Sequence, residues 1–84
     1  MPNMQNDSKV IAAVDAHMRR AFSAVNITVL GMKAARRADG CIEFCYSMPL
    51  GSDISNIAPG AEVTTVGSVQ EMRFAVAVSR ENSC

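Results

Sequence analysis

Eighty-four residues make one domain, and a chain this short buries roughly 60–65% of its unfolded surface, enough for one modest core and little room for a deep catalytic cleft. A hydrophobic share of 49% with 19% charged residues excludes wholesale disorder. A net charge of zero argues against a general nucleic-acid binder, whose affinity comes from many phosphate contacts.

Charge is unevenly spread along the chain. Residues 1–38 carry six cations against Asp7 and Asp15, whereas residues 39–84 carry Arg73 and Arg80 against six carboxylates. Such asymmetry fits either halves that face one another or a charged partner. The longest apolar runs, "VIAAV" and "FAVAV", are far too short to cross a bilayer, and no apolar leader follows "MPNMQNDSK". Three cysteines without a secretory signal point to free thiols in a reducing, cytoplasmic setting. With no Trp, one Tyr and three Phe, the core is expected to rest on Val, Ile, Ala and Met.

In chain order, the first six residues are polar and expected to fray. Asp7 or Ser8 then caps a helix that runs to about Asn26. Val10, Ile11, Val14, Met18, Ala21, Phe22 and Val25 recur at three- and four-residue steps and form one apolar face, with Lys9, Ala16 and Arg20 opposite. Asp15 stands four residues before Arg19, the favourable orientation for a helical ion pair. His17 borders the apolar face, where a half-buried ring with one hydrogen bond is expected rather than a catalytic base.

From Ile27 the period changes to two. "NITVLGMKAARRADGCIEFCYS" is expected to form two strands around a tight turn centred on Asp39-Gly40, which places Arg36 opposite Glu43, with a helix through "GMKAARRA" as the rival reading. On such a strand Cys41 and Cys45 share a face about 13 Å apart, too far for a disulfide or a shared zinc ion. "MPLGSDISNIAPGA" is a long connection in which Ser52 caps one helical turn carrying Ile54 and Ile57. A short strand over 62–66, a turn at Gly67-Ser68 and a longer strand over 69–79 complete the pattern, and residues 80–84 are expected to be flexible. The fold class is therefore α+β: one N-terminal helix on a three- to four-stranded antiparallel meander.

No phosphate loop, serine-nucleophile elbow or metal-binding helix occurs in the sequence, so neither a catalytic residue, a metal site nor a cofactor is expected. "MRFAVAV" has one ring where an RNA-reading sheet needs at least two. What remains is recognition: a small non-enzymatic protein-binding module that forms a homodimer and regulates or inhibits a larger complex, a task common among phage and mobile-element proteins of this size. The candidate partner surface is Arg36 and Arg37 at the hairpin end, with Leu50, Asp53, Ile54, Asn56 and Ile57 in the long connection. Small residues at Ala34, Ala35, Ala75 and Ala77 leave a surface for close approach, and the strand over 69–79 or that over 27–37 is the candidate edge. The alternative is a nucleic-acid regulator using Arg19, Arg20, Lys33, Arg36 and Arg37.

Overall fold

A computed structural model describes residues 4–78, with side chains from residue 7 onward. It is an α+β fold: helix α1 (Met4–Ala24) lies on one face of an open antiparallel sheet of β1 (Gly31–Arg36), β2 (Ile42–Pro49), β3 (Glu62–Val66) and β4 (Val69–Val76). Helix α1 begins before the expected cap, so residues 4–6 are helical and Asp7 lies inside its first turns. The helix stops where Asn26 turns left-handed, at φ 60°, and Ile27 N donates back to Phe22 O at 2.9 Å. Ser79 and residues 80–84 fall outside the described residues.

The strand order is β1-β2-β4-β3, which corrects the expected meander. Strands β2 and β3 both run antiparallel to β4, so they are parallel to each other and residues 50–61 must cross the sheet between them. The crossing is anchored on the helix side. Ile54 joins the core, Gln70 Nε2 donates to Ser52 O at 2.8 Å, and Ile57 N donates to Ile54 O at 2.9 Å to close one helical turn. Asp53 rather than Ser52 caps that turn, accepting Ser55 N at 3.0 Å, while Ser52 Oγ donates to Pro49 O at 2.7 Å. This order follows from side-chain demand. Met72 and Gln70 of β4 are buried and need neighbours on both sides, whereas every residue of β3 is exposed and suits an edge.

The first hairpin is one residue out of the expected register. Arg36 pairs with Ile42 and Ala35 with Glu43. Asp39-Gly40 is not a two-residue turn, because only Gly40 of the pair is left-handed, at φ 90°. Instead Arg37 N donates to Cys41 O at 2.7 Å across a three-residue loop, and Asp39 Oδ1 accepts Cys41 N at 3.0 Å. A one-residue slip exchanges the faces of a strand. Arg36 thereby joins the face of Ile42 and Phe44, under the helix, where its Nε donates to Asp7 Oδ2 at 2.8 Å and Nη2 to Asp7 Oδ1. A second polar tie holds α1 further along: Tyr46 Oη donates to Asp15 Oδ1 at 2.8 Å, and Arg19 Nε reaches the other oxygen at 2.9 Å.

The buried core combines the expected Met and Ile, at Met18, Ile42, Met48, Ile54 and Met72, with three aromatic side chains, Phe22, Phe44 and Tyr46. All the rings of the chain meet in one stack: Phe44 on Phe74 at 5.2 Å, Tyr46 beside Phe74 at 6.2 Å, and Phe22 of α1 tilted onto Tyr46 at 5.3 Å. Ile42, Phe44, Tyr46, Met48 and Met72 have no exposed surface, and Met18, Phe22 and Ile54 close over them. Ala34 belongs to this covered face as well.

Candidate interaction surface

Alternation along four strands means that every second residue points away from the helix. Across the sheet this bare face reads Lys33 and Ala35 on β1, then Glu43, Cys45, Ser47 and Pro49 on β2. Val69, Glu71, Arg73 and Ala75 follow on β4, with Glu62, Thr64 and Val66 on β3. No described residue covers it.

Its middle is a neutralised polar cluster. Arg73 Nη2 lies 2.7 Å from Glu71 Oε1, and Nη1 donates to Thr64 Oγ1 at 2.7 Å. With Lys33, Glu43 and Cys45 these side chains line a shallow hollow of about 260 Å³. Two cations and two carboxylates there balance, so the hollow has no net pull on an anion. Burial pushes the Cys45 thiol up, and among the described residues it is the free thiol; raised pKa keeps it an unreactive side chain at neutral pH. Cys41 is wholly buried and disulfide-bonded, which corrects the expectation of free thiols at this position and removes part of the argument for a reducing compartment.

One end of the same face is apolar. Register places Val66, Val69 and Pro49 in one row across β3, β4 and β2. Val66 is 61% exposed, and Leu50, just beyond the row and bonded through its N to Ser68 O at 3.2 Å, is 55% exposed. These are the largest exposures among apolar side chains of the sheet's β2–β3 side. Sequence reasoning singled out Leu50 but missed Val66 and Val69, because their adjacency to Pro49 depends on the strand order.

The other expected partner residues do not form one surface. Arg36 and Arg37 sit at the start of β2, and Leu50 follows its end, about 23 Å away along the strand. Arg36 is held by Asp7, whose carboxyl the guanidinium hydrogen bond keeps below the usual carboxylate range. Arg37 is exposed between Asp39 at 2.9 Å and Glu43 at 3.9 Å, so it takes the ionic role expected of Arg36. Ile54 is buried and Ile57 packs against the core, while Asp53 and Asn56 are exposed.

The basic set is similarly dispersed. Lys33 points to the bare face and Arg36 to the covered one, Arg19 pairs with Asp15, and Arg20 stands on the outer side of the helix. His17 is exposed rather than half-buried, since it projects beyond the edge of the apolar stripe. No group of three or more His, Cys, Asp or Glu side chains able to hold a metal ion occurs among the described residues. No described helix is long and apolar enough to cross a membrane. No protein-family model, curated protein or solved structure matches this chain.

Proposed function

We propose that the protein is a small non-enzymatic binding module that regulates or inhibits a larger protein or complex by docking the bare face of its sheet. The observation that carries this reading is the apolar row of exposed Val66 and Pro49 with half-buried Val69 between them, beside exposed Leu50, on a face that no described residue covers. The row lies at one end of the face, beside the balanced charges of Lys33, Glu43, Glu71 and Arg73, and so joins apolar contact area to polar groups of both signs, as protein interfaces do. The partner it suits is a protein presenting an apolar side chain among both signs of charge. Dispersal of the arginines over both faces favours a protein partner over a nucleic acid.

Site-specific photocrosslinking in the native host tests the proposal. A crosslinker at Val66 or Leu50 should capture the same protein, and one at Arg20, on the outer side of the helix, should not. Capture from Arg20 alone, or from no position, would refute docking by this face.

A further inference from the structure

We infer that two copies of the chain pair through β3, antiparallel and in register about Thr64, to form one continuous eight-stranded sheet. This deepens the binding-module reading by naming how the chain meets itself, and it uses the edge of the sheet rather than its apolar row.

Among the described residues the edge is open and unguarded. Strand β3, "EVTTV", is exposed along its whole length, with no Pro, no Lys and a single charge at Glu62. Natural edges normally carry such guards against pairing. At the other edge of the sheet β1 carries Lys33 and Arg36, with Arg37 just beyond it. A β3-to-β1 contact would also repeat without end, whereas β3 against β3 closes after two copies.

Backbone geometry makes the strand complementary to itself. Gly67-Ser68 is a two-residue turn with Gly67 at φ 61°, so Val66 and Val69 form its hydrogen-bonded pair. Alternation then aims Glu62, Thr64 and Val66 amides at β4 and leaves the N–H and C=O groups of Val63 and Thr65 pointing outward. In a symmetric antiparallel pair about Thr64, Val63 meets Thr65 of the second copy, and the reverse, so four outward N–H groups find four carbonyls.

Side chains agree with this register. Val63, 45% exposed, packs beside a Thr, and the two Thr64 side chains face each other on the axis. Each Glu62 faces a Val66. The two Glu62 carboxylates are then roughly 13 Å apart along the strand, beyond the screening length of about 8 Å at physiological salt. Repulsion therefore does not oppose the pair.

The experiment uses the full chain. Mass in solution should rise from one copy to two with concentration. Thr64→Cys places thiols on the axis, with Cβ atoms about 5 Å apart, and should yield a covalent dimer on mild oxidation. Glu62→Cys should not, nor should the unsubstituted chain with its native cysteines. Thr65→Pro removes an outward donor without touching the β4 ladder and should weaken the dimer about tenfold or more. A dimer in which Thr64→Cys fails to crosslink overturns the β3 register while self-association stands. A chain that stays single at every concentration, or whose β3 takes up a foreign strand instead, overturns the second copy as occupant and leaves docking by the bare face to its own crosslinking test.

Discussion

The two faces of the sheet differ in what their exposure is for. On the covered side Ile42, Phe44, Tyr46, Met48 and Met72 have no exposed surface, and helix α1 with residues 50–61 is spread over them. On the bare side the same strands show an exposed Glu43 and Cys45, Ser47, Glu71 and Arg73 half-buried by their neighbours and not by a second layer. Stability is therefore concentrated on one face, and the other is free to vary with a partner. Substitutions should separate the two sharply.

The largest effect belongs to Phe44, which is wholly buried and stacked on Phe74 at 5.2 Å. Phe44→Ala should cost about 3–5 kcal/mol, from lost transfer energy and the cavity left behind. For 84 residues total stability is on the order of 4–13 kcal/mol, so this variant sits at the edge of unfolding in a urea titration. A loss below about 1 kcal/mol would show that the stack is not the centre of the core.

Next comes Tyr46→Phe, which removes the tie to Asp15 and should cost about 1 kcal/mol. Burial, reinforced by the Asp15 hydrogen bond, raises the Tyr46 phenol well above its ordinary value of 10.0. Because the folded pKa exceeds the unfolded one, the stabilisation is complete below pH 10.0 and declines as the pH climbs from there toward the folded value. Alkaline denaturation should therefore be steeper for the native chain than for Tyr46→Phe; parallel curves would contradict the buried tie.

Smaller still is the clamp between Arg36 and Asp7, part-exposed and screened by water. Its sign is opposite. Asp7 has a folded pKa below its ordinary 3.8, so the clamp stabilises above that value and its contribution disappears as the pH falls through the folded pKa. Arg36→Met should lower the melting temperature modestly near neutral pH, and the gap should close in acid. A gap independent of pH would assign the effect to lost packing of the arginine stem.

How much of this was legible follows from which patterns are local. The helix carries its own period, and β3, bounded by Gly60-Ala61 and the Gly67-Ser68 turn, matches its expected span of 62–66. The hairpin slip was not readable, because Asp39-Gly40 fits both a two-residue turn and the last two residues of a three-residue loop. What decides is non-local: the slip brings Arg36 to Asp7. Strand order was hidden for a related reason. Period-two patterning says which face a residue takes, never which strand lies beside it, so the row of Val66, Val69 and Pro49 had no signature along the chain. The aromatic part of the core had one. Phe44 and Tyr46 alternate on one strand, and Phe22 lies on the apolar stripe of the helix, so weighing positions rather than counts would have found it.

The smallest expected effect is the sharpest test of the contrast between faces. Cys45 lies in the middle strand of the sheet, paired with Lys33 on one side and Arg73 on the other, yet it is half-buried only by its neighbours on the bare face. Cys45→Ser should change stability by no more than about 0.5 kcal/mol, because no second layer holds its volume and a hydroxyl there meets charged partners and water. The same substitution at a covered position of the same strand would bury an added polar group. Thiol titration of the unfolded, unreduced chain provides the companion number. Cys41 is disulfide-bonded and Cys45 is the free thiol among the described residues, so Cys45→Ser should lower the titre by one. A marked loss of stability in that variant would mean that something does cover this face, and the division between a structural and a recognising side of the sheet would fail with it.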